Sequence, residues 1–173
     1  GVTKDVTLMR SLEVKNNARV SPEKVSWIWQ SEDPTRDTEL SFSGFTADTD
    51  AHATEVKVYR DTTLAKFGVA QLKSEALQLS GKIGGKKATL MQSTSEGETS
   101  YIVQVEDTAY DSALTYTGFT DDSTEATQRV RVYRDAGFSL LKSEAWQRTG
   151  TEVVGGVTKD VTLMRSLEVK NNA

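Results

Sequence analysis

Apolar and polar residues alternate along most of the chain. In the run 25–30, Val25, Trp27 and Trp29 fall on one side, with Ile28 the exception; Leu40 and Phe42 alternate with Ser41 and Ser43, and Val56 and Val58 with Glu55 and Lys57. The pattern returns further on, where Tyr101, Val103 and Val105 share one side, Leu114 and Tyr116 another, and Val130 and Val132 alternate with Arg129 and Arg131. Period two in β-branched and aromatic residues predicts half-buried antiparallel strands, and therefore an all-β fold. Between the runs lie SEDPTRD, TADTDAHAT, TDDSTEAT and KIGG, whose Asp, Ser, Thr and Gly predict turns. The stretch LAKFGVAQLKSEALQL also fits an amphipathic helix, but its counterpart FSLLKSEAWQR is shorter and Gly68 interrupts the longer copy, so a strand is expected.

These runs belong to a repeat. Laid without gaps at an offset of 74, residues 26–61 match 100–135: Ile28 with Ile102, Gln30 with Gln104, Asp33 with Asp107, Asp37 with Asp111, Leu40 with Leu114, then GFT and VYRD in both. The match continues through LKSEA at 72–76 and 141–145, and through a GG turn to Leu90-Met91 and Leu163-Met164, which also correspond to Leu8-Met9. A second repeat overlies the first, because GVTKDVTLMRSLEVKNNA at 1–18 recurs letter for letter at 156–173, a period of 155. A copy without a single change is a cut or an addition rather than drift. Either the chain is a window on an array of identical units, or its first segment also occupies a second site. Both describe a segment that belongs to a neighbour. The organisation expected is a strand copy at 1–18 that belongs or is donated to another unit, a module at 19–99, and a second module at 100–173 that includes the other copy; two halves of one pseudo-symmetric barrel are the alternative.

In the duplicated segment Val6, Leu8, Leu12 and Val14 share one face, with Arg10 intruding, and Val161, Leu163, Leu167 and Val169 repeat it. Such a strand has no stability alone, but it fills a groove while its backbone completes a ladder. These eight residues are the expected strand-donation face, and the expected partners are copies of the chain or adjacent repeat units.

Composition narrows the chemistry. A net charge of −4 with mixed signs gives no footprint for nucleic acid, and no apolar run approaches the length of a membrane span. With no Cys there are no disulfides or thiolate metal sites. His52, the one histidine, has Ala126 as its counterpart, which leaves no material for a His-based triad or a zinc site. No carboxylate pair stands out for glycoside hydrolysis, so an enzyme is not expected and no cofactor is implied. Calcium is the one metal the acidic turns suggest, through Asp33, Asp37, Asp48 and Asp50 in the first half and Asp107, Asp111, Asp121 and Asp122 in the second. Trp27, Trp29 and Trp146 are expected in packing, with sugar stacking the alternative. Arg60-Asp61 and Arg134-Asp135 are expected to form local ion pairs.

The order DTELSFSG, acidic loop, EVKVYRDTTLAKFGVAQ, then a GG turn before KKATLM, resembles the Ig-like repeats of large bacterial surface adhesins, with Thr62 standing where those repeats usually have Gly. The resemblance implies antiparallel Ig-like β-sandwich modules in tandem, an extracellular cell-surface location, and a structural, non-catalytic role in a filament or adhesin stalk. VTKDVTLMRSLEV is also similar to the N-terminal donor strand of Cys-free fimbrial subunits, which implies a donor-strand-complemented pilin instead. The junction Gly155-Gly156 has its counterpart at Gly84-Gly85, so it reads as native and favours the array. A glycan-binding β-sandwich module is the reading of another class.

Overall fold

The computed structural model describes residues 4–12, 14–15, 18–19, 25–60, 71–121 and 126–169. The strands defined there are β1 (Val6–Leu12), β2 (Val14–Lys15), β3 (Ala18–Arg19), β4 (Val25–Glu32), β5 (Phe45–Ala47), β6 (Thr54–Tyr59), β7 (Leu72–Ile83), β8 (Lys86–Ser95), β9 (Glu98–Glu106), β10 (Phe119–Asp121), β11 (Gln128–Tyr133), β12 (Leu141–Val154) and β13 (Val157–Glu168). Short 3₁₀ segments lie at Pro34–Arg36 and Thr108–Ala113. The protein is all-β and antiparallel, and LKSEALQL is strand, as its sequence predicts; residues 61–70 lie outside the described residues.

Eleven strands form one sheet. It is a meander in chain order, β1, β4, β6, β7, β8, β9, β11, β12, β13, while β5 pairs with the far end of β7 and β10 with the far end of β12; β2 and β3 form a separate small ladder. Tight hairpins set this order. Gly84 and Gly85 at φ +57° and +79° bring Ile83 opposite Lys86, and Gly155 and Gly156 at +59° and +78° bring Val154 opposite Val157. A two-residue turn matched to right-twisted strands needs positive φ at both positions, which glycine adopts freely.

The expected division into two Ig-like sandwiches is not visible in this pairing. The boundary at 99/100 falls inside β9, and β8 pairs with β9 from Ala88↔Val105 to Ser95↔Glu98, so the sheet runs straight through it. The cause is that β8 has a partner on each edge, β7 from the first half and β9 from the second.

One expectation is corrected in the loops. Leu40 with Phe42, and Leu114 with Tyr116, alternate with polar residues but do not lie in strands. They sit in the connections 33–53 and 107–127, and the first of these carries Leu40 and Phe42 onto the core. Leu40, Ala53, Leu77, Leu79, Ala88, Leu90, Val103, Val105 and Tyr133 are the buried cluster, with Phe42, Phe45, Tyr101 and Phe138 packed against it. Phe138 meets Phe42, Tyr101 and Tyr133 edge to face at 5.4, 5.9 and 5.6 Å. The first half thus supplies β7, β8 and the covering loop, and the second supplies β9, β11 and Phe138. The core lies between the repeats rather than within one.

Candidate assembly site at the two open strand edges

The three TLM strands are one part used three times. On one edge, Met91 of β8 pairs with Gln78 and Leu90 with Leu79; Met164 and Leu163 of β13 pair with Gln147 and Arg148, the positions matching Gln78 and Leu79. On the other edge Met91 pairs with Ile102 and Leu90 with Val103, while Met9 and Leu8 of β1 pair with Ile28 and Trp29, again the matching positions. Of the three, only β8 has both edges filled among the described residues. Among the described residues β13 lacks the partner that β9 is to β8, and β1 lacks the partner that β7 is to β8.

Burial follows edge occupancy. Leu90 is 0 % exposed, whereas Leu8 at the same position of β1 is 50 % exposed and Val6, matching Ala88, is 51 % exposed. Among the described residues the β1–β4 end shows strands without a covering loop, and the β12–β13 end shows a covering loop without its third strand. At that end Leu114 and Trp146 are buried, the Tyr110 and Trp146 rings lie 5.5 Å apart, and Tyr116, the counterpart of Phe42, stays exposed. Arg148 replaces Leu79. Its guanidinium donates to the carbonyl oxygens of Asp111 and Leu114 and to Asp121 Oδ2, and lies 5.7 Å from the centre of the Phe119 ring. Among the described residues each end holds a part of the arrangement that the interior shows complete.

Of the expected donation face, Val6, Leu8 and Leu167 are exposed and Val161, Leu163 and Val169 are half-buried; the side chains of Leu12 and Val14 lie outside the described residues. The acidic positions act as loop pins. Asp33 is buried, caps the first 3₁₀ segment by accepting from Thr35 N and Oγ1, and takes Lys4 Nζ at 2.5 Å; the lysine first, then Thr35, hold its carboxyl at about 2 against the opposing effect of burial. Asp107 repeats this with Ala109 N and Lys86 Nζ at 2.8 Å, and Lys86 foremost lowers its pKa. Asp37 accepts from Ala53 N and is 2.9 Å from His52 Nδ1, while Asp111 accepts from Thr127 N and Oγ1. Burial pushes both carboxyls up, and these hydrogen bonds more than offset it. Asp48 and Asp50 are exposed, Asp121 binds Arg148, and Asp122 lies outside the described residues. Among the described residues no group of three or more His, Asp or Glu is gathered as a metal site.

Lys4 and Lys86 occupy matching positions, and Lys159 is the third of the set. It is exposed on β13 and has no carboxylate partner among the described residues. The expected Arg134-Asp135 ion pair does not form: Arg134 donates to the carbonyls of Leu141 and Val169, and Asp135 accepts from Ser139 and Leu140. Asp61, the partner expected for Arg60, lies outside the described residues. Trp146 is buried, and Trp27 and Trp29 on β4 are half-buried. Two contacts were not legible in the sequence: Arg10 lies over Trp27 at 5.9 Å and Arg165 over Trp146 at 5.4 Å. Among the described residues no helix is long and apolar enough to cross a membrane. No family model, curated protein or solved structure matches the chain.

Proposed function

We propose that the chain is a structural, non-catalytic repeat unit that lengthens by adding strands to one sheet, as part of a cell-surface filament or adhesin stalk outside the cell. The observation that carries this reading is the position of the buried cluster between two repeats, built from strands and loops of both. A repeat that buries its apolar face only against a neighbour is stable only as part of a series, and its end units are left partly open. The exposed Val6 and Leu8 at one end and Tyr116 at the other agree with that. The Ig-like and extracellular parts of the reading rest on the adhesin resemblance. A donor-strand pilin is the second reading, favoured by the identity of β1 and β13 over their TLM segments.

The test is a tandem chain in which residues 1–155 precede 1–173, so that one TLM strand serves both units. The expected result is a higher unfolding midpoint than the single chain and a longer particle by small-angle scattering. Two units that melt independently at the original midpoint would remove the array reading.

A further inference from the structure

We propose that the chain assembles head to tail with copies of itself, the β1–β4 edge of one copy taking the place beside β12 that β13 fills within a single chain. The partner named here rests on the array reading, and it specifies how two separate chains join. Strand β1 carries the TLM segment of β13, so it forms the same ladder with β12: Met9 opposite Gln147 and Leu8 opposite Arg148, the places now taken by Met164 and Leu163. The incoming copy also brings β4, already paired to β1 with the register that β9 keeps on β8. The exchange keeps the β12 rungs from Glu144 to Gly150 and adds the third strand that the loop 107–127 lacks among the described residues.

The side chains of two rungs match that seam, while the second rung gains volume, with Arg148 for Leu79 and Trp29 for Val103. The interior seam reads Gly81–Ala88–Val105, Leu79–Leu90–Val103 and Leu77–Gln92–Tyr101 across β7, β8 and β9. The proposed seam reads Gly150–Val6–Ser31, Arg148–Leu8–Trp29 and Trp146–Arg10–Trp27. In the first rung a larger Val replaces Ala where a smaller Ser replaces Val, which conserves volume. In the third, Arg10 already lies over Trp27, and Arg165, the same residue of the identical segment, already lies over Trp146. Joining the ends places one guanidinium between two indoles, a cation–π arrangement on both faces of one cation. Leu8 and Trp29 enter the position of the buried Leu90 and Val103, under Leu114 and Tyr116. Because β13 is tethered, it competes at an effective concentration of about millimolar, so assembly grows with protein concentration and with loss of β13.

The experiment uses the absence of native cysteine. A chain ending at residue 155 and carrying M9C and Q147C is oxidised gently. Positions 9 and 147 lie on strands separated by most of the sheet, so a disulfide between them joins two copies. A ladder of covalent multimers is expected, and Q78C in place of Q147C gives monomer, because β8 covers that edge. R10A in the same background is expected to weaken the ladder. A folded shortened chain that captures a peptide of residues 1–18 but gives no 9–147 link would overturn head-to-tail joining and leave strand complementation standing. A chain that neither captures the peptide nor cross-links would overturn this proposal and the array reading together. If the shortened chain does not fold, full-length M9C/Q147C is cycled through its melting transition at high concentration; the ladder is expected there, and monomer alone overturns the proposal.

Discussion

The ring of Phe45 lies over Gly81, and the ring of Phe119 lies over Gly150 in the same way. A Cβ at Gly81 would come within 2.6 Å of Phe45 Cζ and 2.2 Å of the Thr46 carbonyl oxygen; at Gly150 the distances are 2.5 Å to Phe119 Cζ and 2.3 Å to the Thr120 carbonyl. Each glycine lets the short strand β5 or β10 close over the far end of β7 or β12. Gly81→Ala and Gly150→Ala are each expected to destabilise the protein by about 1–3 kcal/mol through overpacking, read from urea midpoints. Adding Phe45→Ala to Gly81→Ala should not restore stability, because the closest contact is the backbone oxygen. Full recovery in the double variant would assign the effect to the ring instead.

Leu8, Leu90 and Leu163 are one residue at three places, and the structure assigns them different weights. Leu90→Ala empties a site with no solvent exposure and is expected to cost about 2–5 kcal/mol. Leu8→Ala, half exposed at the sheet edge, is expected to change a monomer by less than about 1 kcal/mol, with Leu163→Ala between them. Equal costs for Leu8 and Leu90 in dilute protein would mean that the β1 edge is already covered in solution.

The strands and their repeat were legible because alternation and the 74-residue offset both survive in the residue types. Ile28 with Ile102 and Met9 with Met91 even carry the register. What alternation does not encode is which strand lies beyond the next edge. Leu90 and Leu8 read alike, and only the pairing of β8 on both sides shows that the core falls across the boundary. Leu40 and Phe42 misled for a related reason: a loop that lays two apolar residues on a sheet alternates as a strand does. The candidate calcium positions Asp33, Asp37, Asp107 and Asp111 are acidic because loop amides, Thr hydroxyls and Lys side chains need acceptors. Composition alone does not distinguish that use from metal binding.

Arg148 offers a test of how the second half departs from the first. Replacing it by Leu restores the residue of the first half at position 79, but removes the donor to the Asp111 and Leu114 carbonyls. Carbonyls left without a partner at a buried site cost about 1–3 kcal/mol, so Arg148→Leu is expected to destabilise in that range despite its better match to an apolar seam. Amide exchange should quicken first in the connection 107–121. A stabilised Arg148→Leu would mean that desolvating the guanidinium outweighs its hydrogen bonds.

Acid should loosen the chain in part through Asp33, whose carboxyl keeps its charge to lower pH than an ordinary carboxylate and so ties stability to that charge. Its pKa is held at about 2 by Lys4 and Thr35, against an ordinary value of about 3.9 for an unfolded Asp. A carboxyl depressed in the folded state contributes stability that is complete above about pH 4 and is lost as pH falls toward 2. Lys4→Ala removes the largest cause, so the Asp33 carboxyl is expected to titrate closer to 4 by carbon-detected NMR and the acid-unfolding midpoint to move to higher pH. Asp33→Asn should flatten this part of the pH profile and lower stability at pH 7. The Lys86–Asp107 pair provides the internal comparison, because it fixes the same loop in the second half and its carboxyl is lowered by the same kind of contact. Lys86→Ala should therefore shift acid unfolding in the same direction, whereas Lys159→Ala, which removes the exposed third member of the set, should leave the monomer's acid profile unchanged. A shift from Lys159→Ala in dilute protein would show that this lysine already has a carboxylate partner, which the head-to-tail contact does not supply, because there β1 of the next copy, with its own Lys4–Asp33 pair, takes the place of β13.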